Sequence, residues 1–280
     1  MSFYINFKVP TGNKEVKLKE VTFKTFKTIN KFLINQNNVH IAEFFDEILL
    51  DSLVNKDVFS EFTNFDKFCA LFLLRCTSIS PTIEYSDKSI TVKKPLLPFL
   101  SKCLDFISDY STHFALNDYE IHLSLPHKLF FNDIFDAYYS SVSKIYFKNK
   151  LINFEIEDKT SFIDNLPAEV TFKIKDYSNN IKNKFSELVF DVTSNESNEK
   201  LTLSPYDLSF FEILKALYTS NLKNIFELQY ILVSKLNYSA DYIDSNTLTE
   251  NLILCNIYEQ EMQKLKDEQE NIDKTIPLNK

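Results

Sequence analysis

The chain of 280 residues contains a single glycine, Gly12, where average usage of ~7% would supply roughly 20. Phosphate-cradling loops need several glycines, because backbone N–H groups must approach the ligand with no Cβ in the way. Neither GxGxxG nor GxxxxGK[ST] can be written in this sequence, and the GxSxG nucleophile elbow is equally impossible. The usual nucleotide-binding folds and the serine elbow are thereby excluded, though not enzymes that need no glycine. Arginine is almost as scarce: Arg75 is the only one. Bidentate recognition of phosphates or base edges usually draws on several arginines. Tryptophan is absent and methionine occurs twice, which leaves Phe, Leu and Ile to build the core. No apolar run reaches the ~18 residues of a membrane span, and Phe68 to Leu74 is broken by Arg75. Met1 to Pro10 lacks the apolar centre of a signal peptide. A protein made in the cytosol, with no membrane insertion, is expected.

The formal net charge is −8, a balance that does not favour binding along nucleic acid, although a local lysine patch stays open. Cys69, Cys76, Cys103 and Cys255 form no CxxC pair and lie in apolar surroundings, the pattern of buried free thiols in a reducing compartment.

What the chain has in quantity is aromatic surface: 27 Phe and 14 Tyr. Hydrophobic residues make up 44% and charged residues 25%, a globular balance. Alternation over Phe3 to Val9 and Glu15 to Lys19 predicts a hairpin, with Gly12 at a position of positive φ. Thr22 reads as the N-cap of a helix carrying Phe23, Phe26, Ile29, Phe32 and Leu33. A second helix carries Ile41 to Leu49. A third, from Thr63-Asn64, wraps its apolar positions so widely that it belongs at the core of the first half. Short hairpins are predicted around residues 86–88 and 148–150, the second over Lys144 to Ile156. A strand is predicted over Tyr119 to Leu125. Further helices are predicted over Leu96 to Ile107, Phe130 to Tyr139, after Leu166-Pro167, after Ser204 to Asp207, over Leu222 to Leu236, and from Thr249 into Glu270. Leu188 to Val192 and Leu201 to Leu203 read as strands. The fold class is therefore α+β, helix-rich with short antiparallel hairpins and no doubly wound sheet. The polar stretch Asp158 to Ser161 suggests two regions: 1–158, a hairpin plus helical α+β region, and 159–280, mainly helical.

Candidate chemistry is sparse. His122 and His127 could meet across the bend at Pro126, but a metal site needs further ligands. Asp133 and Asp136 share a helix face, and Glu155 and Glu157 share a strand face. Such pairs can serve acid–base work, as in a carboxylate-dependent hydrolase, but in an acidic chain they more plainly mark solvated surface. Cys103 with His113 is the one thiol–imidazole pair worth naming. The doublets Tyr138-Tyr139 and Phe210-Phe211 point their rings about 100° apart on a helix. They imply either a crowded core or one ring of each pair facing a partner subunit.

Val9-Pro10-Thr11-Gly12-Asn13-Lys14, Val21-Thr22-Phe23-Lys24, Phe65-Asp66-Lys67-Phe68 and, above all, Leu74-Arg75-Cys76-Thr77-Ser78-Ile79 leading into Ile83-Glu84 form a set of short segments. They resemble the baseplate hub subunits and hub-assembly proteins of T4-type contractile-tailed phages. Ser209 to Leu214 and Gln229 to Leu232 are similar to hub-assembly proteins. The resemblance implies a structural or assembly role through contacts with other baseplate and tail hub proteins, as a homo- or hetero-oligomer. It implies no catalytic residue and no cofactor; from the charge balance and the separated histidines, no nucleic-acid partner and no metal are expected either. The chain would act in the host cytoplasm during assembly and lie in the virion tail baseplate if retained. Arg75 would then be structural, either pairing with a carboxylate beneath its helix or serving as a cation at the helix C-terminus.

Overall fold

The computed structural model describes residues 4–12, 14–35, 40–87, 90–106, 110–131, 133–154, 156–193 and 198–275. In chain order the elements begin with β1 (Tyr4–Lys8), β2 (Glu15–Lys19), α1 (Phe23–Asn35), α2 (Ile41–Ser52), a 3-10 helix over Lys56–Glu61 and α3 (Asn64–Ser78). There follow β3 (Thr82–Asp87), β4 (Ile90–Pro95), α4 (Leu97–Asp105), β5 (Thr112–Leu116), β6 (Tyr119–Leu123) and α5 (Ile134–Ser140). Next come β7 (Val142–Phe147), β8 (Lys150–Leu151), α6 (Ile156–Asp164), α7 (Ala168–Phe185), β9 (Val189–Thr193) and β10 (Asn198–Thr202). The chain ends in helices: α8 (Ser209–Tyr218), α9 (Leu222–Ser234), α10 (Ala240–Ser245) and α11 (Leu248–Thr275). Among the described residues the strands make three two-stranded hairpins, β1–β2, β3–β4 and β9–β10, and one four-stranded sheet, β5–β6–β7–β8. Their pairings are antiparallel, so the class is α+β as the sequence predicts.

The chain folds into two compact units, Met1–Glu20 with Asn37–Tyr218, and Val21–Gln36 with Thr219–Lys280. The first is built around α3. Thr63 caps it in a reciprocal box: its hydroxyl accepts from Asp66 N, and the Asp66 carboxylate accepts from Thr63 N at 2.9 Å. Nearly every α3 side chain is buried, with Leu73 and Thr77 the exceptions. Phe68 stacks on Phe210 with centroids 4.6 Å apart, and Phe65 meets Phe185 edge-on at 4.9 Å. Phe99 bridges Phe72 and Phe190 at 5.5 and 4.8 Å. Each buried ring contributes about 1.5–3 kcal/mol of transfer free energy, and the offset and edge-on contacts add to it. A second cluster joins the sheet to the following helices. It combines Ile121, Leu123, Val142 and Ile145 with Ile163, Leu166, Val170 and Ile174, so its core runs across residue 160, which lies inside α6.

The second unit packs α1 with α9, α10 and α11. Phe23, Phe26, Ile29 and Leu33 are buried along one stripe of α1. Lys27, between them, donates to Asp244 Oδ1 at 2.5 Å and to Gln229 Oε1 at 3.0 Å. Asn30 donates to Phe26 O and accepts from Ser220 N at 2.6 Å, and Phe23 N donates to Asn246 O.

Four elements, the 3-10 helix over Lys56–Glu61, β5, α6 and α10, are not predicted by the sequence patterns. The strand predicted through Ile156 ends at Leu151, and α6 begins at Ile156. The positive φ expected at Gly12 is not observed. The β1–β2 connection is wide enough to close through Val9 N to Lys14 O at 2.8 Å without a left-handed residue at Gly12. Thr11, rather than the glycine, fixes its position: Thr11 N and Oγ1 donate to the Asp66 carboxylate at 2.9 and 2.5 Å.

Candidate functional site

The residues with candidate chemistry are dispersed. His122 Nε2 lies 2.9 Å from Glu120 Oε1 and its ring stacks on His113 across the β5–β6 ladder, at 5.3 Å. His127 instead sets Nδ1 2.8 Å from Phe62 O. The two histidines expected to meet across Pro126 are thus occupied separately. His113 faces His122, whereas Cys103 is fully buried beside Cys69. Burial pushes the Cys69 thiol well above its ordinary range, and Cys103 as a neighbour raises it further. The Cys76 thiol is raised by burial to about 12. Low-pKa thiolate nucleophiles need the opposite environment.

Asp133 is exposed and caps α5, accepting from Phe135 N at 2.8 Å; Asp136 is exposed in the first turn. Glu157 sits on α6 rather than on a strand, and Glu155 lies outside the described residues. Among the described residues no group of three His, Cys, Asp or Glu side chains could hold a metal ion. A cavity of about 310 Å³ opens beside β7, lined by Val142, Lys144, Ile145, Ile152, Phe154 and Lys159. Lys159 donates to Val142 O, and burial lowers its pKa. The lining holds no carboxylate, imidazole or thiol to act with it.

The buried charges of the first unit are structural. Arg75 spans two helix ends: Nε donates to Leu217 O at 2.5 Å near the end of α8, and an Nη to Ser80 O at 2.7 Å just past α3. Lys67 donates to Asp46 at 2.9 Å and lies 4.5 Å over the Phe59 ring. Desolvation raises the Asp46 pKa despite that ammonium; the ion pair offsets only part of the cost of burial.

A model of the T4 bacteriophage base plate protein family matches residues 2–212. The chain belongs to that family. No curated protein and no solved structure matches it. The base plate match spans β1 through the first turn of α8 and takes in α3 with its capping box and the Thr11 anchor. It also takes in Phe210 and Phe211, both buried, so this doublet belongs to the core rather than to a partner contact. Tyr138 and Tyr139 are half-buried, Tyr138 edge-on to Tyr206 and Tyr139 donating to Asp164.

Beyond the base plate match, the helices of the second unit expose large apolar side chains. On α9, Phe226, Tyr230 and Val233 stand 44, 67 and 40% exposed. They follow the i, i+4, i+7 spacing of one face, while Ile225 and Leu232 are buried. On α11, Leu252, Ile253, Ile257, Met262 and Leu265 are likewise exposed. The sequence patterns predict this helix over Leu222 to Leu236 without singling out its exposed apolar face. The signal was present: a helix apolar on two faces is either fully enclosed or partnered. Among the described residues, no helix is long and apolar enough to cross a membrane.

Proposed function

We propose that the chain is a structural or assembly component of the hub at the centre of a contractile-tail baseplate. It works by contacts with other phage tail proteins, without catalysis or a cofactor. The family match over residues 2–212 carries this reading. The exposed apolar face of α9 and the exposed apolar side chains of α11 support it, because clustered exposed apolar surface marks contact sites. The dispersal of the imidazoles, thiols and carboxylates supports a role without chemistry. On this reading the chain acts in the host cytoplasm during assembly and, if retained, lies in the virion tail baseplate. Co-expression with neighbouring tail genes, followed by affinity capture of the tagged chain, tests it: a tail protein retained through washing is expected, and retention of none would overturn it. Mass spectrometry of purified virions separates the resident component from an assembly chaperone, which would be missing from the particle.

A further inference from the structure

Charge is unevenly spread over this acidic chain, and the β1–β2 hairpin is locally basic. The solvent face of β1–β2 presents Tyr4, Asn6 and Lys8 from one strand and Glu15, Lys17 and Lys19 from the other, all exposed. The face has three lysines against one glutamate, on a chain of net charge −8. Among the described residues no ion pair engages Lys8, Lys17 or Lys19.

The hydrogen-bond phase of the ladder shows which edge is open. In an antiparallel pair, alternate residue pairs exchange their N–H and C=O groups and the others point them outward. Val9 N bonds Lys14 O, so Phe7/Val16 and Ile5/Leu18 belong to the bonded set. Lys17 belongs to the outward set, and its carbonyl indeed accepts from Val54 N, beside the antiparallel bridge of Leu18 to Leu53. The outer edge of β2 is therefore engaged. On β1 the outward groups are the N–H and C=O of Tyr4, Asn6 and Lys8, and among the described strands only β2 pairs with β1. The hairpin is also held rigidly. Phe7, Val16 and Leu18 are buried beneath it, Thr11 bonds Asp66 twice, and Lys14 pairs with Glu61. A fixed strand edge costs little entropy to engage.

We infer that the free edge of β1 accepts an extended acidic segment of a partner protein as an added strand. The backbone of that segment would pair with Tyr4, Asn6 and Lys8. Acidic side chains at alternate positions would meet Lys8 directly, within the screened field of Lys17 and Lys19 one strand away. A second copy of this chain is the poorer occupant, because two β1 edges laid together would bring their lysine-rich faces side by side. The inference rests on the protein-contact reading above and names a surface for it.

The test uses the full-length chain and, as probe, a fluorescent end-capped peptide of roughly eight residues alternating Glu and Val. Expected are binding that weakens with salt, and at least about tenfold slower amide exchange at Tyr4, Asn6 and Lys8 in the saturated complex. Asn6→Pro removes an N–H that β2 does not use and should weaken binding by about tenfold or more. Lys17→Glu with Lys19→Glu should do the same, and a Lys–Val peptide should bind at least about tenfold more weakly than the Glu–Val one. If Asn6→Pro fails to fold, the charge variant and the exchange data decide. No peptide binding, no protection at the three amides, or binding indifferent to the charge variant would overturn the inference. So would a concentration-dependent dimer that dissolves in Asn6→Pro, which would make the second copy the occupant. A tail protein captured equally well by wild type and Asn6→Pro would leave the contact role standing and remove this edge from it.

Discussion

Four described non-glycine residues hold a left-handed backbone: Asn117 at φ 53°, Lys148 at 48°, Asn149 at 64° and Asn237 at 56°. Asparagine tolerates this region better than other side chains because its short amide bonds locally. In a chain with one glycine, asparagine has taken over the turn positions, while Gly12 sits where no left-handed angle is needed. The sequence could not reveal this, because the Asp66 anchor of the turn lies 55 residues away. A Cβ built at Gly12 would meet Val9 Cγ1 at 3.6 Å, an ordinary contact. Gly12→Ala is therefore expected to stabilise the fold by about 0.4–1 kcal/mol through the unfolded chain, read from the midpoint of denaturant unfolding; a loss of stability would show that the turn does need glycine. The thiols can be argued at the same scale. Cys69 and Cys76 are buried and their pKa values are raised, so the native state keeps its protons to higher pH than the unfolded state. Their contribution is fully present below the ordinary value of 9.0 and is lost as pH rises towards about 12 for Cys76. Alkylation of both by a maleimide should be slow in the native protein at neutral pH and rapid in denaturant, with stability declining above pH 9.0.

Elements with strong local signals were legible: the Thr63 cap, the α1 stripe and the β1–β2 alternation all fold as their residues dictate. The missed elements lack such signals. Thr112 to Leu116 mixes exposed and half-buried positions at the edge of its sheet, so no clean alternation marks β5. In Ile152 to Ile156 the strand-like alternation I-N-F-E-I runs up to the first residue of α6, which hides the change of period. The β7–β8 turn uses Lys148-Asn149, both left-handed, where a type I′ turn favours Asn-Gly. Lys148→Asn combined with Asn149→Gly should stabilise the protein by roughly 1 kcal/mol, seen as a higher melting temperature. The exposed face of α9 makes a different prediction. Tyr230→Ser removes a ring that is 67% exposed, so it should alter stability by about 0.5 kcal/mol or less. Capture of tail proteins by the variant should nevertheless fall; unchanged capture alongside an unchanged melt would mean that α9 contacts no partner.

At the scale of the whole molecule, the grouping of α1 with α9, α10 and α11 depends on contacts that no local pattern encodes. Lys27 reaches Gln229 and Asp244 across 202 and 217 residues of sequence, and Asn30 reaches Ser220 across 190. Read locally, Lys27 is an ordinary polar position on α1; in the fold its side chain is only 11% exposed and is paired with a carboxylate that is 26% exposed. An ammonium this enclosed holds its surroundings together because either partner, left alone, keeps a desolvated charge. Lys27→Met fills similar volume but strands Asp244, and should cost about 1–3 kcal/mol. If the second unit opens as its own cooperative element, the loss will appear first as faster amide exchange in α1, α9 and α10, with the amides of α3 and the β6–β7 ladder keeping their wild-type rates. Uniform acceleration through both units would mean that the chain unfolds as a single cooperative body, with the Lys27–Asp244 pair contributing to all of it.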